Sequence, residues 1–347
     1  MRNTFLFLFL LLFIVFGRAQ EINPPSQPIA GPGGAFYPHD SLIIHNFAEF
    51  QDGYWLYEPV SPKPQKANVV VFMHGYGAYN PMIYGAWIKH LVLKGNIVIF
   101  PRYQKNLFTP STDKFVENAA KGIRDALTLL QQGDHVRPNI DQISLVGHSY
   151  GGVISANLGV NYKKLDIPYP HAIMLCSPGT GPFRGGLLDD YEAMPSTTKL
   201  LVLVSENDKT VGDKIGRLVF ETAEHVEKRN FLRQLEDKHG QPKITASHNE
   251  SYALDELFDS GDWNVSTKRA VRKGTIDAMD YYGYWKLFDA LLDCAREGEN
   301  CEVAFGNTPQ QRSLGVWSDG TQIKEFEVII PEKKTESVNT QNVDASH

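Results

Sequence analysis

The sequence predicts an α/β protein: a doubly wound, mostly parallel sheet flanked by helices, with loop insertions over one end. Two observations carry this. Short, continuously apolar runs rich in Val, Ile, Leu and Phe alternate with stretches whose apolar residues recur at helical spacing. One of those runs, Gln142 to Val146, ends abruptly in Gly147-His148-Ser149-Tyr150-Gly151, the composition of a sharp strand-to-helix turn.

Taken in order, Ser41 to Phe47 and Gly53 to Tyr57 alternate apolar and polar residues, as antiparallel edge strands do. Asn68 to Met73 is apolar throughout, which suits a strand covered on both faces, and Asn96 to Phe100 reads likewise. Ile83 to Lys94 has helical spacing. So does Phe115 to Leu130, with Ala119, Ile123, Ala126 and Leu130 on one face. Strands over Ile143 to Val146, Ala172 to Leu175 and Leu200 to Val204 follow, with a helix from Val153 to Leu158 behind the glycine-rich turn. Pro242 to Ala246 is the next strand candidate, and Tyr281 to Ala295 a final amphipathic helix. In such a sheet the loops at the carboxyl ends of the strands build the site.

The termini read differently. A basic Met1 to Thr4 precedes an unbroken apolar run, Phe5 to Phe16, and small residues at Gly17 and Ala19. About twelve apolar residues are too few to span a bilayer, so residues 1–19 read as a cleaved signal peptide. The expected product is secreted or periplasmic and carries no stable membrane anchor. Residues 20–40 read as an irregular Pro- and Gly-rich leader, 41–330 as a single α/β domain, and 331–347 as a polar, disordered tail. A net charge of −6 without a basic stripe argues against a nucleic-acid partner. In an oxidising compartment Cys294 and Cys301, on either side of a short polar loop, suggest a local disulfide, while Cys176 reads as a buried strand residue. With neither a Cys-x-x-Cys nor a His-Glu-x-x-His, no metal site is expected.

A serine hydroxyl becomes a nucleophile when a base takes its proton and an acid orients that base. Ser149 is the candidate nucleophile. Asp208, on the loop after Leu200 to Val204, is the candidate acid, with Glu206 and Asp213 as fallbacks. His248, after the Pro242 to Ala246 run, is the candidate base. His45, His90, His171, His225 and His239 compete less well, being placed within regular elements or charged segments, and His148 adjoins the nucleophile but is expected to point its side chain away from the hydroxyl at the turn. Donors for a developing oxyanion are expected from the Tyr150 amide and from the loop His74 to Asn80, where Tyr76 is the first choice and Gly77 the alternative. His74 is expected to brace that loop.

Val71-Phe72-Met73-His74-Gly75-Tyr76-Gly77, Val146-Gly147-His148-Ser149-Tyr150-Gly151-Gly152, the Asp208 loop and His248 together resemble the α/β-hydrolase superfamily. They are similar in particular to its dienelactone-hydrolase-like, chlorophyllase-like and polyester-hydrolase-like esterases. The resemblance spans about residues 50–295. It implies a carboxylester hydrolase of the α/β-hydrolase fold that needs no cofactor and works through an acyl-enzyme on Ser149, with a small-molecule or polymeric ester as partner. Two rival readings stand beside it: acyl transfer or peptide hydrolysis by the same residues, and a catalytically silent binding protein on the same fold.

The insertions Gly179 to Ser196 and Glu250 to Lys273 carry apolar and aromatic residues that could roof the pocket or merely pack the insertions down. Asn249 and Asn264 begin glycosylation patterns. Phe305 to Ile330 has no counterpart in the minimal fold, and edge packing or a small strand pair is expected there.

Overall fold

The computed structural model describes residues 21–329. The expected signal segment, residues 1–19, and the expected tail, 331–347, lie outside the described residues.

The strands are β1 (Leu42–Asn46), β2 (Tyr54–Pro59), β3 (Lys66–Met73), β4 (Asn96–Pro101), β5 (Arg137–His148), β6 (Pro170–Cys176), β7 (Lys199–Ser205), β8 (Lys228–Gln234) and β9 (Glu327–Val328). They form one sheet in the order β1-β2-β4-β3-β5-β6-β7-β8-β9. From β4 to β8 neighbours are parallel; β1 and β2 run antiparallel at one edge and β9 at the other. The main helices are α1 (Gly85–Leu93), α2 (Phe115–Leu129), α3 (Tyr150–Asn161), α4 (Lys214–Thr222), α5 (Val265–Lys273) and α6 (Trp285–Arg296). This is the mostly parallel, helix-flanked α/β architecture expected from the alternating runs.

The period of two along a strand explains the layering. On β3, Val69, Val71 and Met73 face the layer of α2, α3 and α4, whereas Val70 and Phe72 face α1 and α6. Both faces are covered from Val69 to Met73, so that stretch is apolar throughout and fully buried. Phe72 sits within 5.0–6.0 Å, ring to ring, of Tyr84, Trp87 and Phe100. Truncating such a side chain to Ala costs about 3–5 kcal/mol.

One predicted strand is misplaced. Pro242 to Ala246 is mostly irregular, with only Ile244 bridging Asp237. The strand beyond β7 is β8, fourteen positions earlier at its start, and its sequence Lys-Arg-Asn-Phe-Leu-Arg-Gln does not look like one. Only Phe231, Leu232 and Gln234 are buried along it. Its basic side chains lay their stems on apolar surface, as Arg229 does over the Phe220 ring at 5.2 Å. His248 therefore follows a loop rather than a strand.

The Pro-rich leader is tied down by backbone bonds, Gln241 N–H to Ile22 O and Ser318 N–H to Asn23 O (2.7 and 2.9 Å). The segment after Phe305 packs at the sheet edge. Trp317 is buried with its indole N–H directed to Asp237, Val316 bridges Gln322, and β9 adds to β8. Cys294, near the end of α6, is joined to Cys301 by a disulfide, and Cys176 is free and buried.

Candidate active site

β5 stops at His148 and α3 starts at Tyr150, so Ser149 alone makes the corner, at φ 55° and ψ −119°. A non-glycine residue adopts such a backbone only when its surroundings enforce it. The enforcement is close packing: a Cβ on Gly147 would stand 2.3 Å from the Gly151 carbonyl oxygen, and one on Gly151 would stand 2.1 Å from that of Met73. Glycine is required at both places so that the corner can press against β3.

The corner directs the Ser149 hydroxyl to His248, whose Nε2 lies 2.9 Å from Oγ. His248 Nδ1 lies 2.7 Å from Oδ2 of Asp208. Asp208 follows β7 and is also the turn residue of its own loop, because Oδ1 accepts the amides of Thr210 and Val211 at 2.8 and 3.0 Å. Burial alone would push this carboxyl up. The hydrogen bond to His248, the charge of that ring and the two amides outweigh burial and hold it below the usual carboxylate range. Asp208 is thus an anion fixed at both oxygens. The fallback acids are engaged elsewhere: Asp213 pairs with Arg217 and Arg233, and Glu206 accepts the amide of Glu236.

His148 does not face the hydroxyl, as expected, yet it is more than a spacer. Its Nε2 lies 2.8 Å from the backbone carbonyl of His248, and its Nδ1 lies 2.9 Å from the Tyr84 hydroxyl. A carbonyl can only accept, so Nε2 carries the proton and Nδ1 accepts from Tyr84. Burial, and then the neighbouring His248, push the His148 pKa down to about 3, which keeps the ring neutral. The Tyr84 oxygen in turn accepts the amide of Gly75 at 3.0 Å. A buried chain therefore runs from the His74 to Asn80 loop through Tyr84 and His148 to the backbone of His248. Sequence reasoning missed Tyr84; nothing about an aromatic residue in a helical stretch marks it.

That loop is held from several sides. His74 is buried with its ring nitrogens near the carbonyls of Gly75 and Arg102 (2.7 and 2.6 Å), and burial lowers its pKa to about 4. The Gly77 amide donates to Gln104 Oε1 at 2.8 Å, so this alternative donor is already occupied. The amides of Tyr76 and Tyr150 have no acceptor among the described residues. Asn264 caps α5 by accepting the Ser266 and Thr267 amides, and its Nδ2 donates to Gly77 O at 2.8 Å.

Beside Ser149 opens a cleft of about 280 Å³. Tyr76, Leu107, Phe183, Val211, Tyr252 and Val265 give it an apolar lining, and Arg269 brings one guanidinium to it. Both insertions contribute, but sparingly. Tyr191 and Met194 of the first and Phe258 of the second are buried as packing, while Leu257 and Trp263 face solvent.

Comparison with known families finds the chlorophyllase family model over residues 60–185. The matched segment runs from just after β2 to beyond β6, and so includes the His74 to Asn80 loop and Ser149 but neither Asp208 nor His248. No curated protein matches the chain. The chlorophyllase family lies within the α/β-hydrolase superfamily, in keeping with the resemblance and with the sheet described above. The match suggests an ester hydrolase of that type.

Proposed function

We propose that the protein is an exported serine carboxylester hydrolase in which Ser149, His248 and Asp208 act together. The observation that carries this reading is the continuous contact from hydroxyl to imidazole to carboxylate, 2.9 and 2.7 Å, at the mouth of an apolar cleft. Neutral His248 takes the Ser149 proton as Oγ attacks the ester carbonyl, and the ionised Asp208 stabilises the imidazolium that results. The tetrahedral oxyanion is received by the amides of Tyr76 and Tyr150. His248 then protonates the departing alcohol, leaving an acyl group on Ser149. Water enters, gives its proton to the same imidazole, and releases the acid. The apolar lining favours esters with an aliphatic or aromatic group over charged sugars. Export is supported by the apolar amino-terminal sequence and by the Cys294–Cys301 disulfide, which suits an oxidising compartment. No helix among the described residues is long and apolar enough to cross a membrane.

The test is incubation with a fluorophosphonate and with p-nitrophenyl esters of increasing acyl length. Stoichiometric labelling on Ser149 and turnover that Ser149→Ala removes are expected. An unlabelled protein without turnover would leave a silent binding protein, and turnover unchanged in Ser149→Ala would move the chemistry elsewhere.

A further inference from the structure

At the amino-terminal end of the parallel strands, away from the Ser149 corner, three side chains converge that this reading of the active site does not use. His45 on β1 and Glu58 on β2 are diagonal neighbours across the antiparallel pair, since Glu58 stands opposite Ile43. His135 comes from the turn just before β5. We propose that His45, Glu58 and His135 form a binding site for a divalent cation of the zinc class.

Four observations support it. His45 Nε2 is 3.0 Å and His135 Nδ1 is 2.7 Å from the same oxygen, Oε1 of Glu58. All three atoms lie within 4.8 Å of one another, and four-coordinate zinc with bonds of about 2.0–2.1 Å holds its ligand atoms about 3.3 Å apart. Glu58 is 2 % exposed, so its charge needs a partner. His45 Nε2 is buried and, although 3.0 Å from that oxygen, is not aligned for a hydrogen bond, so the protein alone leaves this nitrogen poorly satisfied.

The surroundings resemble those of a built site. The Val136 amide donates to Oε2 of Glu58 at 2.6 Å and so turns Oε1 toward the two imidazoles, the kind of outer contact that orients a metal ligand. Two imidazole nitrogens and one carboxylate suit zinc better than magnesium or calcium, and three protein ligands leave the fourth position to water. The cation would tie the β1–β2 hairpin to the approach to β5. Glu58 and His135 are separated by 77 positions, and no linear metal motif covers such a set.

The experiment uses the full chain, stripped with a chelator and dialysed against Zn²⁺, with bound metal counted after gel filtration and melting followed with and without Zn²⁺. One equivalent of zinc and a raised melting temperature are expected, with affinity at least about a hundredfold weaker in His45→Gln and in His135→Gln. Loading the unmodified chain with Co²⁺ gives a reading independent of variant folding: intense visible absorption from a four-coordinate nitrogen and oxygen site. Absence of bound zinc, unchanged affinity in both variants, or a Co²⁺ spectrum of the free aqueous ion would each overturn the proposal.

Discussion

Tyr84→Phe deletes one oxygen atom, yet it should damage both stability and turnover. The Tyr84 ring is fully buried against Phe72, Phe100 and Tyr252, and phenylalanine preserves that packing. What is lost is the hydroxyl that accepts from Gly75 N–H and donates to His148 Nδ1. Two buried polar groups are left without partners, at about 1–3 kcal/mol each. Partial relaxation of the loop brings the sum to about 2–4 kcal/mol, or a melting temperature lower by about 3–6 °C for a domain of this size. The same deletion loosens the Tyr76 donor loop and the seat of His248 at once. A shift of well under 1 Å at reacting groups costs roughly 10–100-fold in rate. Because Tyr84 does not line the cleft, kcat should fall while KM changes little. Calorimetry and steady-state kinetics on a p-nitrophenyl ester decide the matter. A variant with the native melting temperature and a kcat within twofold of the parent would show that the chain from Gly75 to His248 has no mechanical role.

Ser149→Gly should be inactive yet more stable than Ser149→Ala by about 1 kcal/mol, because only glycine relieves the positive φ at the corner; equal melting temperatures would contradict the strain. Asp208→Asn should lower kcat by roughly 10²–10⁴-fold by admitting the wrong imidazole tautomer. The folded pKa of Asp208 is depressed, so its contribution to stability is present above the usual carboxylate range and fades as pH falls through the folded value. Asp208→Asn should therefore flatten the acid limb of the stability–pH curve, and an unchanged limb in acid titration would refute this. Replacing Cys294 and Cys301 by Ser opens a loop of sequence separation 7, and the chain-entropy relation gives a loss of about 2–2.5 kcal/mol, readable in urea. A midpoint unchanged from the parent would mean that the bridge does not constrain the unfolded chain.

Much of this was legible in advance because strong local signals coincided with their tertiary roles. Val69 to Met73 is apolar on both faces because the strand is central, and the glycines around Ser149 are there because backbone passes within 2.1–2.3 Å of where a Cβ would be. β8 was hidden for the opposite reason. A strand near the edge can be Lys- and Arg-rich when the stems, not the charges, cover the core, and no periodicity survives that. The roles of Tyr84, Gln104 and Asn264 were not legible because each joins groups that only the fold brings together, His148 for Tyr84 and the backbone of Gly77 for the other two, and contacts of that kind leave no pattern in a linear text. Asn264 did carry one local sign: a short amide side chain just before a helix is a common cap.

Asn264 has a second consequence. Its amide grips the first turn of α5 with one atom and Gly77 with the other, so the wall of the cleft and the donor loop move as one piece. A bulky ester that had to lever α5 aside on its way in would drag the Tyr76 amide off target, and would be admitted only to a disarmed centre. Size selection would then be enforced after entry as well as at the doorway: oversized esters could occupy the cleft, compete with smaller ones, and still go uncut.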